Sequence, residues 1–190
     1  MRPTLSALLI ALAAIATLPG CAVVAGGAVA TGALMADDRR TAGTYLLDEE
    51  IELKAAGKWR EQRIEGVHAS FTSFNRRLLI TGEAPTEAVK AQVASLVSGL
   101  PNVRDVANEL AIAAPTSLTS RTSDGYVTAK IKTRFLDDKR FSANHVKVVT
   151  ENSVAYLMGM VKREEGSAAA EVAARTSGVR RVVKVFEYID

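Results

Sequence analysis

The apolar positions of this chain form a pattern that occurs twice. In each half, an opening segment has apolar residues four positions apart, which predicts a helix with one buried face. These residues are Ile51, Ala55 and Trp59 in the first half and Val127, Ile131 and Phe135 in the second. Asp48 and Asp124 stand just ahead of these sets, and an aspartate at that place predicts the N-cap of each helix.

The rest of each half predicts a β-hairpin, a second helix and a final strand. Two short apolar or alternating stretches flank a polar turn, as in a hairpin. An alanine-rich helix and a β-rich segment come next. The segments cover residues 67–72, 78–81, 86–98 and 103–112 in the first half, and 146–150, 154–160, 163–176 and 179–189 in the second. The predicted fold class is α+β, with a three-stranded sheet and two helices in the order α-β-β-α-β in each half.

An internal repeat accounts for this doubling. An offset of 77 residues pairs Ile80-Thr81-Gly82 with Leu157-Met158-Gly159, and it also pairs His68 with His145. Towards the ends the offset becomes 76, which pairs the apolar faces of the two opening helices. The repeated unit is roughly 65–70 residues long, near the lower limit for a domain with its own core. We therefore expect two tandem domains, at residues 46–112 and 123–190, joined by a connector at 113–122.

The N-terminal segment has the layout of a secretory signal. Arg2 supplies a positive start and an apolar stretch covers residues 5–18, which is shorter than the roughly 20 residues of a membrane span. Leu18-Pro19-Gly20-Cys21 then resembles the lipobox of bacterial lipoproteins, with Pro19 as a departure from the usual pattern. The resemblance implies that the signal peptide, residues 1–20, is removed and that Cys21 receives fatty acyl chains such as palmitate. The alternative from the residues is a secreted protein with one free thiol.

The residues after Cys21 bear on location and on the linker. In bacterial lipoproteins an aspartate directly after the cysteine retains the protein on the inner membrane. This chain has Ala22 there, so the resemblance implies anchorage on the periplasmic face of the outer membrane. Residues 21–45 are expected to form a lipidated linker, in which the uncharged stretch 22–36 is a spacer or a second membrane-adherent segment. Residues 37–40 are expected to be a solvated charge cluster.

Charge is divided unequally between the two halves. Residues 48–110 carry eight Lys or Arg and ten Asp or Glu, whereas residues 118–190 carry thirteen and nine. A basic domain favours an anionic partner. Beyond the inner membrane nucleic acid is excluded as that partner, so anionic phospholipid, such as phosphatidylglycerol, is predicted.

The sequence contains no pattern that indicates an enzyme. The two histidines, His68 and His145, occupy equivalent places in the repeat, which favours a shared structural role. Histidine and cysteine are not spaced as zinc ligands, and Glu164-Glu165 suits the positive end of a helix dipole without acid–base chemistry. We predict no catalytic residue, no metal and no cofactor.

The opening helix of the second half is the candidate binding surface. If its apolar residues face inward, four others face outward: Tyr126, Lys130, Thr133 and Arg134. An aromatic ring with a polar tip beside cations suits the headgroup region of a membrane, where each Lys or Arg contributes about 1 kcal/mol. The alternative is that Tyr126 packs on the neighbouring domain. The first helix begins with acidic residues, Asp48, Glu49, Glu50 and Glu52, which would repel an acidic bilayer.

Both halves resemble the BON domain. The resemblance rests on the apolar-Thr/Met-Gly triplets that end at Gly82 and Gly159 and on Ser177-Gly178-Val179-Arg180-Arg181-Val182; the first half departs from it at Asn102-Val103. It implies that the first helix of the second domain engages anionic phospholipid through an aromatic residue near its start, here Tyr126. It further implies a non-enzymatic role in outer-membrane integrity and stress resistance, with concentration at the division site. The competing hypothesis is an adaptor that docks on envelope-assembly, cell-wall or division-site proteins.

Overall fold

A computed structural model describes residues 37–62 and 64–189. The predicted signal peptide, Cys21 and the uncharged stretch 22–36 lie outside the described residues. Among the described residues, no helix combines the length and the apolar character that crossing a membrane requires.

The order of elements confirms the predicted α-β-β-α-β repeat. The first domain contains α1 Ala42–Gln62, β1 His68–Phe74, β2 Arg77–Ala84, α2 Glu87–Ser98, β3 Asp105–Asn108 and β4 Ala111–Ile112. The second contains α3 Leu118–Asp137, a 3₁₀ turn Ala143–His145, β5 Val146–Glu151, β6 Val154–Val161, α4 Arg163–Ala174 and β7 Arg181–Tyr188. Both α1 and α3 begin several residues before the domain starts expected from the sequence.

The two sheets share one topology, with the second hairpin strand at the centre. Strands β1 and β2 pair antiparallel and β3 pairs parallel to β2, while β5, β6 and β7 repeat this arrangement. In the first domain the predicted last strand is split into β3 and β4, which both pair with β2. The split follows Asn108, whose amide donates to the Lys90 carbonyl while its oxygen accepts from the Leu110 N–H.

The apolar faces of the opening helices are buried as predicted. Ile51 and Ala55 of α1 enter the first core, and Trp59 packs at its margin against Phe71. The second core contains the equivalent set from α3: Val127, Ile131 and Phe135. These contacts fix which side of each helix is exposed.

The prediction that Asp48 and Asp124 cap these helices is wrong. Both helices begin earlier, and the N-cap of α3 is Ser117, whose side chain accepts from the Ser120 N–H. Asp48 and Asp124 therefore lie inside the helices, and both are buried.

The two buried aspartates instead hold the hairpin turns. The turn residues all have positive φ, a conformation that is uncommon for residues other than glycine; they are Asn75 and Arg76 in the first domain and Asn152 and Ser153 in the second. Asp48 accepts hydrogen bonds of 2.8 and 2.7 Å from the two turn N–H groups of its domain. Asp124 accepts bonds of 2.9 and 2.8 Å from the equivalent groups. The repeat thus conserves a helix-to-turn clamp in both domains.

The paired glycines and histidines of the repeat meet at one close approach. A Cβ at Gly82 would lie 2.1 Å from the carbonyl oxygen of His68, and one at Gly159 would lie 2.2 Å from that of His145. No side chain fits at that distance, so glycine is required at the centre of each sheet.

The sheet faces that the helices leave uncovered pack against each other. Alternate residues of β2 and β6 point into the domain cores, and those between them form a third apolar cluster with strand residues of both domains. Its buried members are Phe74, Leu79, Tyr156, Met158 and Val185. At its rim, Lys147 pairs with Glu52 at 2.6 Å and Arg104 pairs with Glu187. Residues 38–189 therefore form one unit with helices outside and sheets inside.

The segment 38–40 does not form the solvated cluster expected from the sequence. The Arg40 side chain is only 6% exposed, because its guanidinium lies 4.0 Å from the ring centre of Phe74 and pairs with Asp38 and Asp48. Arg39 makes two hydrogen bonds, of 2.7 and 2.8 Å, to the Glu165 carboxylate in the second domain. The segment thus forms ion pairs with both domains.

Candidate functional site

The outer face of α3 carries the side chains that the sequence selects. Since Val127 and Ile131 are buried, the residues beside them turn away from the core, and Tyr126 is 67% exposed. The sequence left open whether the Tyr126 ring packs on the first domain; the neighbours that the structure gives it, such as Lys130 and Arg175, belong to the second. Lys130 lies over this ring, with Nζ 5.1 Å from the ring centre.

A groove of about 500 Å³ runs between α3 and the end of α4. All four selected residues line it, together with others that the sequence reading missed. The full lining is Tyr126, Ala129, Lys130, Thr133, Arg134, Arg175, Thr176 and Ser177. Of the missed residues, Ala129 lies in α3, and the other three lie about 45 positions further along the chain, where sequence periodicity within α3 gives no signal.

Two of the three cations in the groove, Lys130 and Arg134, donate to backbone carbonyls at and just beyond the C-terminal end of α4. Lys130 Nζ donates to the Ser177 carbonyl at 2.9 Å, and Arg134 Nη1 donates to the Arg175 carbonyl at 2.6 Å. Carbonyls at the end of a helix lack partners within it and carry partial negative charge, so cations stabilise them. Because lysine has three N–H donors and arginine five, capacity remains for an anionic ligand. Thr133 is less available as a donor, since its hydroxyl bonds the Ala129 carbonyl at 3.0 Å.

Apolar side chains extend the same helix surface. Leu118 is 75% exposed and Leu136 is 65% exposed. At 3.6 residues per turn, both lie about 80° around the helix axis from Tyr126, on the side opposite to the cations. An exposed tyrosine with leucines on one side and cations on the other resembles the faces of helices that lie in a membrane interface.

The equivalent surface of α1 differs in charge. Of the four acidic residues in its N-terminal half, Asp48 is buried and Glu52 is paired with Lys147, which leaves Glu49 and Glu50 exposed, the latter beside Lys54. The charge of this surface therefore still differs from that of α3, although the difference rests on two exposed carboxylates instead of the four expected from the sequence.

Sequence spacing predicts no metal ligands, but the fold brings three candidates together. His68, Glu83 and Glu151 each offer one ligand atom within 4.8 Å of the others. They come from three strands in two domains, and they lie apart from the α3 groove.

Comparison with known proteins gives consistent matches. The family model described as BON domain matches residues 48–114 and 123–190. The outer membrane lipoprotein DolP of Haemophilus influenzae is 38% identical over 191 residues, which cover 98% of this chain and 97% of that protein. A 21 kDa hemolysin of Actinobacillus pleuropneumoniae is 31% identical over 154 residues, which cover 80% of this chain and 79% of the hemolysin.

Among solved structures, CdsD, a structural protein of the type III secretion system of Chlamydia trachomatis, matches with 13% identity and a TM-score of 0.32. That match covers 72% of this chain and 92% of the CdsD chain. It is too weak to inform function.

Proposed function

This chain belongs to the BON-domain family and is an outer-membrane lipoprotein with two such domains, and we propose that its second domain binds anionic phospholipid through α3. The binding supports outer-membrane integrity and involves no catalysis. The lipid contacts lie on Tyr126, Lys130, Thr133 and Arg134, and the acyl anchor lies on Cys21.

The observation that carries this proposal is the α3 groove. Tyr126 is two-thirds exposed beside Lys130 and Arg134, and exposed leucines flank it on the same helix. A tyrosine ring partitions into the headgroup region with its hydroxyl towards water. The second domain also carries the excess of basic residues, which an anionic surface attracts.

The magnitudes suit a protein that is already anchored. Two cations contribute about 2 kcal/mol at an anionic surface, which corresponds to roughly thirtyfold in affinity. This is weak for recruitment from solution. For a tethered domain the local lipid concentration is high, so the same energy is enough to fix how the domain lies on the bilayer.

The test is co-sedimentation of a soluble fragment, residues 38–190, with vesicles. Both domains are retained because a fragment of the second domain alone would expose the buried apolar residues Tyr156 and Met158. Binding should be stronger to phosphatidylglycerol than to phosphatidylcholine, and it should weaken as salt is added. The double variant Tyr126→Ala/Lys130→Glu should lose most of this preference.

The repeat supplies a matched control. Lys54 occupies in α1 the place of Lys130 in α3, and it is exposed. Lys54→Glu makes the same charge change at the wrong helix and should leave binding nearly intact. Equal binding by the wild type to both vesicle types, or equal losses in the two lysine variants, would refute the site.

An adaptor function is the second candidate, and one observation favours it. Leu46 and Leu53 of α1 are 66% and 70% exposed, and they lie two turns apart on one side of the helix. A photo-crosslinking residue at position 53 should then capture one dominant envelope protein in cells, and capture should fail when Glu49 and Glu50 are changed to lysine. Capture of lipid alone would contradict this function.

A further inference from the structure

Three side chains with metal-ligating atoms meet where the two domains join. His68 begins β1 and lies directly opposite Glu83 of β2 in the strand register, while Glu151 ends β5 in the second domain. The Nδ1 atom of His68 is 3.3 Å from Glu83 Oε2 and 3.7 Å from Glu151 Oε1. The imidazole therefore lies between one carboxylate from each domain.

The carboxylates are buried with unused oxygen atoms. The Glu83 side chain is 1% exposed and that of Glu151 is 10% exposed. Within the described residues, Glu83 Oε1 and Glu151 Oε1 have no hydrogen-bond partner. Burying an uncompensated carboxylate costs several kcal/mol, so these two oxygens indicate that a positively charged ligand is accommodated here.

The surrounding groups do not balance the charge. Helix α3 brings Asp124 and Arg121 near the cluster, so it adds one negative and one positive charge. Arg121 donates from Nη2 to the Thr116 carbonyl, and the Thr116 N–H donates to Glu83 Oε2 at 3.2 Å. Three carboxylates, two of them in the cluster, are thus faced by one guanidinium and one imidazole.

The fold itself does not require the two carboxylates. At the repeat offset of 77 residues, Glu83 corresponds to Met160 and Glu151 corresponds to Phe74. His68 corresponds to His145, whose carboxylate neighbour, Glu165, is paired with Arg39. The acidic pair is therefore specific to this junction.

Two of the three distances between the ligand atoms suit a tetrahedral cation, and the third lies within 4.8 Å. With bonds of about 2.0–2.2 Å to zinc, two ligand atoms lie about 3.3–3.6 Å apart. The two histidine–carboxylate distances, 3.3 and 3.7 Å, are close to that edge and longer than a usual charge-assisted hydrogen bond of about 2.7–2.9 Å. We propose that His68, Glu83 and Glu151 bind a divalent transition-metal cation of the zinc type and that this cation ties the two domains together.

The donor set favours zinc over the alkaline-earth cations. Calcium and magnesium prefer six or more oxygen ligands, whereas zinc accepts one imidazole and two carboxylates and leaves a fourth position for water. The His68 side chain is 18% exposed, so the cluster is reachable from solvent.

The test uses the full chain in detergent and zinc alone as the probe. All proteins carry Cys21→Ser, so that a thiolate at position 21 cannot bind the metal. Isothermal titration should give one zinc per chain at micromolar concentration, and magnesium should give no comparable binding. His68→Gln and Glu151→Gln should each weaken zinc binding by about tenfold or more. His145→Gln, at the equivalent place in the second domain, should bind like the parent.

A second measurement does not depend on how the variants fold. Cobalt(II) bound by the unsubstituted ligands should give the intense visible bands of tetrahedral coordination by nitrogen and oxygen. Absence of stoichiometric zinc binding, equal affinity in the parent and the His68 variant, or the weak spectrum of hydrated cobalt would each overturn the proposal.

Discussion

Replacing Asp48 with alanine should destabilise the protein far more than its place on a helix suggests. This carboxylate accepts four hydrogen bonds, all of them between 2.7 and 2.9 Å. The donors are the Ser73 hydroxyl, the N–H groups of Asn75 and Arg76 and the guanidinium of Arg40. It thus joins the helix, the hairpin turn and the segment ahead of the helix.

The magnitude follows from what the substitution leaves behind. Two turn N–H groups without partners cost about 1–3 kcal/mol each, and Arg40 loses one of its two carboxylate partners among the described residues, which adds to the loss. These terms are not additive, and we expect Asp48→Ala to lower the free energy of unfolding by about 3–5 kcal/mol. Asp48→Asn should lose less, because its amide oxygen still accepts from the turn.

The repeat provides the comparison that tests this reasoning. Asp124 holds the same turn N–H groups in the second domain, but no arginine is among its bonded partners within the described residues. Asp124→Ala should therefore cost about 2–3 kcal/mol. Urea unfolding of residues 38–190, followed by circular dichroism and fluorescence, measures both. If Asp48→Ala loses no more than Asp124→Ala, or loses under about 1 kcal/mol, the assigned role of the clamp is wrong.

Three further predictions follow from contacts described above. Gly159→Ala places a methyl group against the His145 carbonyl, so the free energy of unfolding should fall by about 3 kcal/mol or more; a loss under about 1 kcal/mol in urea unfolding contradicts it. The Arg104 guanidinium lowers the pKa of Glu187, so this pair stabilises the protein above the ordinary carboxyl pKa, and its contribution disappears as the pH falls through the lowered value. Glu187→Gln should therefore cost up to about 1 kcal/mol at neutral pH and less in acid; a cost unchanged between the two refutes the pairing. Tyr126→Trp should raise affinity for phosphatidylglycerol vesicles about threefold, or about 0.6 kcal/mol, and unchanged co-sedimentation argues against insertion of the ring.

The elements were predictable where local periodicity determines them. The spacing of Val127, Ile131 and Phe135 fixes the buried side of α3, and that spacing alone selects Tyr126 and Lys130 as outward-facing residues. The repeat then strengthens each assignment, because two copies obey the same pattern.

Contacts between distant positions were not predictable from periodicity. Asp48 meets its turn 27 and 28 residues later, so its role looked like a local cap. His68 and Glu151 are separated by a domain boundary, and only the docking of the two sheets brings them together.

One signal of that docking was present in the sequence. The segments 78–80 and 154–158 are continuously apolar instead of alternating, which is typical of strands buried on both faces. A sheet with helices on one side and water on the other does not need this pattern. The uninterrupted runs therefore indicate that something apolar covers the second face, although they do not identify the cover as the neighbouring domain.

The back-to-back sheets have a consequence for what the protein can touch at one time. Because each sheet covers the inner face of the other, α1 and α3 lie on opposite outer layers of the molecule. A molecule resting on a bilayer through α3 necessarily presents α1 and its exposed leucines to the aqueous periplasm. Lipid and protein ligands would then be engaged simultaneously without competing for one surface.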